Sequence, residues 1–291
     1  MAVFREGRDA YLDLASRMFG IPYDRLWDDY KGKNGKERQI AAKQMRQVAK
    51  PGVLGAVYRL GGGGWGYNKD GDKVKTGLFG YADAMGVELS QEQAQMVVRV
   101  FRETYPEIPA FWRILEDAVA DVMRGTNTVR RVGPSGCVAI DKIGIENRDS
   151  LMRILLPSGR RLHYLDARLE NTLMPWKSET GENVYREALV YAGTNQQTKQ
   201  WDTWVTSHGG KLLENITQAV SRDVLAVKLL EFEAHDMSIV AHVHDEGVAL
   251  VPDDAFSPEA EDMVEIMSQP VSWAPGLLLG ADGFSSPFYH K

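Results

Sequence analysis

At 291 residues, 44% hydrophobic and 25% charged, the chain can bury a core as one large domain or two modest ones. It has no stretch of about 18 uncharged apolar residues, so no membrane span is expected. The charged start Met1-Ala2-Val3-Phe4-Arg5-Glu6 also lacks the apolar core of a signal peptide. The single cysteine, Cys137, excludes an internal disulfide and argues against a cysteine-based zinc site, and the expected compartment is the cytosol. A net charge of −6 lacks the global signature of a nucleic-acid binder, but the charge is uneven. Between positions 31 and 50, Lys31, Lys33, Lys36, Arg38, Lys43, Arg46 and Lys50 are opposed only by Glu37. Such a stripe either binds phosphates or forms a solvated helix face.

In chain order, residues 8–19 read as a helix with Leu12, Ala15 and Phe19 on one face, stopped by Gly20-Ile21-Pro22. Residues 24–34 read as a polar connection. A helix is expected over about 37–49, interrupted by Pro51 and Gly52 and resumed over 53–58. Gly61 to Gly64 read as a flexible turn opening a loop to about residue 88. No Gly-Lys-Ser or Gly-Lys-Thr follows them, so the run is not a phosphate loop. Ser90, with Glu92 and Gln93, caps a helix over 90–104. Another spans 110–124 and ends at Gly125.

The texture then changes. Short strands are expected over 128–131, 137–140, 151–156 and 161–165, the last two joined by a Pro157-Ser158-Gly159 turn. Residues 211–234 read as a long helix with an apolar face of Leu212, Leu213, Ile216, Val220, Val224, Val227 and Leu230. Two strand-length apolar runs, 238–243 and 247–251, bracket His244-Asp245-Glu246, and a helix over about 257–268 precedes a Trp/Pro/Gly-rich tail. The expected class is α+β.

Two constellations carry chemistry. Arg46, Lys50, Leu54 and Tyr58 recur every fourth residue, so one helix face would offer two cations, an apolar surface and a ring, a set suited to a nucleoside triphosphate or to an ordinary amphipathic face. Adjacent acids at a hairpin tip repel unless a cation sits nearby, and their hard oxygens suit a divalent metal such as magnesium; a solvated polar turn is the plainer alternative. His242 and His244 fall on the same face of a strand and with His235 mimic a zinc site, at a spacing that matches no common zinc motif.

The order of these motifs resembles the C-terminal half of bacteriophage DNA polymerases of the polymerase I type (family A). The fingers motif Arg-x-x-x-Lys, apolar residue, Tyr is similar to Arg46, Lys50, Leu54 and Tyr58, and the third palm motif to His244-Asp245-Glu246. The stretch Gly209–Ala219 resembles the palm helix, and Leu156–Arg160, Trp273–Leu277 and Phe4–Asp9 also fit. The resemblance implies helical fingers over 1–127 and an antiparallel-sheet palm over 128–291, lacking thumb and exonuclease. It implies template-directed addition of dNTPs to a primer 3′-hydroxyl at a two-magnesium site, with Mn2+ a possible substitute. Asp245 would be catalytic and a metal ligand, and Glu246 an auxiliary acid. Arg46 and Lys50 would grip the triphosphate, Leu54 and Tyr58 would shape the base-pair pocket, and Gln218, His244 and Arg160 would touch primer–template DNA. Arg59 stands where the family commonly has glycine, as a phosphate contact or a surface cation. The family's first catalytic Asp falls upstream of Met1. A second polypeptide carrying that Asp, the thumb and perhaps the exonuclease is therefore expected as partner, in the cytoplasm of a host cell. The rival readings are a non-catalytic fragment that binds DNA or a replisome protein, and a metal protein using His242, His244 and Asp245.

Overall fold

The computed structural model describes residues 2–67, 70–145, 148–177, 180–195, 198–252, 254 and 257–290. After a short turn of helix, α1 (Ala2–Arg5), the first half is helical: α2 (Ala10–Phe19), α3 (Tyr23–Tyr30), α4 (Lys36–Ala56), α5 (Gly77–Ala84), α6 (Gln91–Thr104) and α7 (Glu107–Arg124). A six-stranded antiparallel meander follows, β3 (Val129–Val132), β4 (Val138–Ile145), β5 (Arg148–Leu155), β6 (Arg161–Lys177), β7 (Asn183–Thr194) and β8 (Trp201–Ser207), each strand pairing with the next. Then come α8 (Gly209–Ala234), the hairpin β9 (Ser238–Val243)–β10 (Glu246–Leu250), and α9 (Ala260–Ser268). The α+β class is as expected. No helix among the described residues is long and apolar enough to cross a membrane.

Side-chain chemistry accounts for the helix ends. Asp9 caps α2 by accepting from the amides of Tyr11 and Leu12, and Ser90 and Gln93 form a reciprocal capping box on α6. Gly20 and Gly125 end α2 and α7 in the left-handed conformation.

The segment 24–34, expected as a connection, contains α3. Tyr23, Leu26, Trp27 and Tyr30 fall at helical spacing, and their packing against α2 and α4 outweighs the surrounding charges. Helix α4 also runs unbroken through Pro51, against the expected interruption. Proline forfeits one backbone bond, but Pro51 and Gly52 are buried, and a Cβ on Gly52 would stand 2.3 Å from Val97 Cγ1 on α6. Close helix packing holds the segment helical. In the glycine run, expected to be flexible, Gly62 and Gly63 are closely packed as well. A Cβ on Gly63 would lie 1.9 Å from the Thr76 carbonyl, and the Gly61 and Gly62 carbonyls accept from Leu78 and Phe79 at the start of α5. Beside it lies a small hairpin, β1 (Trp65–Tyr67) and β2 (Lys73–Lys75).

Three apolar clusters organise the chain. One joins α2–α6 around Leu12, Leu14, Leu78 and Phe101. The second packs α7 and the first half of α8 on one face of the large sheet, around Leu115, Ile140, Met152, Ile154 and Leu212. The third, around Phe232, Met237 and Ile266, seats the hairpin and α9 on the C-terminal part of α8. The buried face of α8 departs from expectation beyond residue 220. Ala219, Leu225, Lys228 and Phe232 are buried, whereas Leu230 is 72% exposed. Lys228 buries its apolar stem and donates to Glu231 Oε2 at 2.7 Å.

Candidate nucleotide and nucleic-acid site

At the hairpin, Val243 pairs with Glu246, leaving His244 and Asp245 as a two-residue loop. His244 has φ +56°, a region that non-glycine residues rarely occupy, so the turn holds local strain of ~1–3 kcal/mol. This corrects the expectation that His242 and His244 share a strand face, because His244 lies in the turn. Asp245 is exposed and makes no hydrogen bond or ion pair among the described residues. Glu246 opens β10 and accepts from Tyr289 Oη at 3.2 Å. No group of three or more His, Cys, Asp or Glu among the described residues is arranged to hold a metal. Asp245 nevertheless offers hard oxygens that no cation among the described residues occupies. That suits an ion such as Mg2+, which keeps several waters and takes further ligands from phosphates.

On α4 the four motif residues divide. Lys50 is half-buried and has no hydrogen-bond or ion-pair partner among the described residues, and Leu54 is half-buried one turn later. Arg46 is occupied: its Nε donates to Asp9 Oδ2 at 3.0 Å, and its guanidinium lies over the rings of Tyr11 and Tyr30. Tyr58 falls beyond the helix end, past Val57, in a turn that leads to Arg59 at φ +72°. Burial raises the Tyr58 pKa, and the nearby Glu214 carboxylate adds to the rise, so the phenol is neutral at pH 7.

This turn docks onto α7 and the start of α8. Trp112 Nε1 donates to the Val57 carbonyl at 3.0 Å, and Arg59 pairs with Glu116. Glu116 Oε1 also accepts from the Gly209 amide at 2.9 Å. Arg59 is therefore a structural pin and not a free surface cation. Gly209 and Gly210 permit the approach, since a Cβ on Gly209 would lie 2.1 Å from the Trp112 carbonyl and one on Gly210 2.4 Å from that of Tyr58. His208 caps α8, accepting through Nδ1 from the Lys211 amide. Burial lowers its pKa and Arg59 adds to the effect, keeping that nitrogen unprotonated.

Gln218 is exposed on α8, its amide donating to Glu214 Oε1 at 3.3 Å. Arg160 is committed to the fold: Nε donates to Asp223 Oδ1 at 2.6 Å and Nη2 to the Ala219 carbonyl at 3.0 Å, while Ser158 takes the other Asp223 oxygen. The turn after β5 is thus tied to α8.

Helix α8 connects the two constellations without bringing them into contact. Its N-terminus meets Tyr58, whereas Gly247, just past the hairpin tip, packs on Leu229 and Phe232. From Gly210 to Leu229 the axis rises roughly 28 Å. No hydrogen bond or ion pair joins Asp245 to Arg46, Lys50 or Tyr58. Sequence reasoning passed over Asp9, Glu116, Glu214 and Asp223, the acids that hold the basic residues. Two of them had a local signal: Asp9 as an acid preceding an apolar helix, and Glu214 as the i,i+3 partner of Lys211.

No family model matches the sequence, and no solved structure matches it. Among curated proteins, all 291 residues align at 34% identity with a DNA polymerase of Bacillus phage SP02, and they span 38% of that protein's length. The chain is thus similar, from end to end, to well under half of a phage DNA polymerase.

Proposed function

We propose that these residues are the fingers and palm of a DNA-directed DNA polymerase of the polymerase I type, which adds dNTPs to a primer 3′-hydroxyl. The observation that carries this reading is the whole-chain similarity to a phage DNA polymerase, joined to an unpaired carboxylate, Asp245, presented on a strained hairpin. Asp245 would hold Mg2+, or Mn2+ in its place, and Glu246 would serve beside it. The metal pair supplies a lowered pKa at the primer hydroxyl and charge neutralisation on the triphosphate. Lys50, which pairs with no anion among the described residues, meets the phosphates, and Arg46 joins it from its cradle. Leu54 and the neutral Tyr58 bound the base-pair pocket. The Gln218 amide and His244 imidazole reach minor-groove acceptors common to all base pairs. Arg160 has Nη1 and one N–H of Nη2 left for DNA, so its part there is secondary to its part in the fold.

A two-metal site needs a further carboxylate from outside these residues, and we propose that a second polypeptide supplies it with the thumb. With Tyr58 at the start of α8 and Asp245 near its C-terminal part, bound primer–template and nucleotide would lie between the two. That same separation favours one other reading, a fragment that binds DNA without catalysis.

Primer extension tests the choice, by the chain alone and by the complex a tagged copy recovers from its native source. Extension by the complex alone, reduced by Asp245→Ala about 10³-fold or more, is expected, since removing a metal ligand costs several factors of ten at ~1.4 kcal/mol each. Extension by the isolated chain overturns the second polypeptide. DNA binding that depends on salt but not on nucleotide, with no extension in either sample, overturns the polymerase reading.

A further inference from the structure

Arg46 is held as no other cation on α4 is. Asp9 Oδ2 accepts from its Nε at 3.0 Å and lies 2.9 Å from its Nη2, so one edge of the guanidinium is fully engaged. The ring centroids of Tyr11 and Tyr30 stand 4.7 and 5.6 Å from its central carbon. Asp9 is itself fixed before it meets Arg46. Its Oδ1 accepts from the Tyr11 and Leu12 amides, both at 2.9 Å, and its own amide donates to Tyr23 Oη at 2.9 Å. The cap on α2 therefore determines where Oδ2 points, and Oδ2 determines where the guanidinium lies.

We infer that Asp9 is the positioning residue for Arg46, orienting the guanidinium so that its Nη1 edge meets the triphosphate of an incoming nucleotide. This rests on the reading of α4 as the triphosphate-binding helix. A free arginine samples many rotamers and must be ordered when the nucleotide binds; one ordered in the folded protein avoids that loss. Asp9 also carries a negative charge that opposes the phosphates. The two effects have opposite signs in a variant that removes the charge, so a single substitution decides between them.

Asp9→Asn is that variant. Asparagine caps a helix about as well as aspartate, so α2 keeps its cap. Its amide group, however, presents donors to the donors of Arg46 and releases it. In the complete polymerase complex the dNTP KM of primer extension is expected to rise about tenfold with kcat within about twofold, the pattern of lost ground-state and transition-state binding in equal measure. Thermal stability should match wild type. In an Arg46→Ala background, Asp9→Asn should change KM by less than about twofold, because Asp9 then has nothing to orient.

A KM that is unchanged or lower in Asp9→Asn overturns the inference, as does an equal rise in the Arg46→Ala background. Should Asp9→Asn lower the Tm, Asp9→Ser, a capping residue too short to reach Arg46, carries the same expectation. The underlying reading fails separately: if neither Arg46→Ala nor Lys50→Ala changes KM, α4 does not bind the triphosphate and the inference falls with it. If Arg46→Ala raises KM and Asp9→Asn does not, only the positioning role is lost.

Discussion

Gly210→Ala should destabilise the protein although alanine is the better helix former. Gly210 lies in the first turn of α8, where propensity favours alanine by at most about 1 kcal/mol. The added Cβ would stand 2.4 Å from the Tyr58 carbonyl oxygen and 2.5 Å from Arg59 Cβ, whereas ordinary contact begins at 3.4 Å. Backbone and Cβ atoms cannot rotate away, so the Tyr58–Arg59 turn must shift by about an ångström. Overpacking of that kind costs ~1–3 kcal/mol, which leaves a net loss of about 1–2 kcal/mol after the propensity gain. The shift would also pull Arg59 from Glu116, which the Gly209 amide shares. Urea unfolding measures the loss as a lower midpoint at unchanged slope. Gly61→Ala, whose Cβ would meet nothing within 4 Å, is the control and should hold or gain up to about 1 kcal/mol. In the extension assay Gly210→Ala should raise the dNTP KM, since Tyr58 moves. A Gly210→Ala protein as stable as wild type would refute the close approach of α8 to this turn.

Other consequences are as direct. Burial pushes the Tyr164 phenol up to about 12, while its unfolded value stays at 10.0, and Asn215 donates to its oxygen at 3.0 Å. Its stabilising contribution is therefore complete below pH 10 and is lost between pH 10 and 12, at ~1.4 kcal/mol per unit. Tyr164→Phe should cost ~1–3 kcal/mol at pH 7 by stranding the Asn215 amide, and its deficit relative to wild type should narrow from pH 10 to 12. A constant gap in urea titrations at pH 7, 9 and 11 would contradict this. Lys36 and Lys43 are exposed on α4 and form no ion pair among the described residues. If that face follows DNA phosphates, Lys36→Ala and Lys43→Ala should each lower the slope of log K against log salt by about 1 in anisotropy titrations. An unchanged slope would make the stripe a solvated face.

Much of the local structure was legible. Ser90 with Gln93 marked the start of α6, Gly125 the end of α7, and the two apolar runs around His244-Asp245-Glu246 marked the hairpin. Other elements were hidden. In α3, charges at Asp24, Arg25, Asp28 and Asp29 obscured a narrow apolar stripe. The strands β7 and β8 lay in a stretch with many polar residues, where about half of each strand faces water; β6 supplies the pairing for β7, and β7 that for β8.

The site divides in the same way. Capping, turn formation and helical or strand periodicity involve neighbours up to about four residues apart, so the chain alone determined most helices, the hairpin and the residue types gathered at Asp245 and along α4. Which residue holds which was decided by docking. Asp9 meets Arg46 across 37 positions, Asp223 meets Arg160 across 63, and Gly209 reaches Glu116 across 93. No local pattern encodes such pairs, because each depends on how whole helices pack. The same packing buried Lys228, exposed Leu230 and carried α4 through Pro51, three positions where local preference pointed the other way.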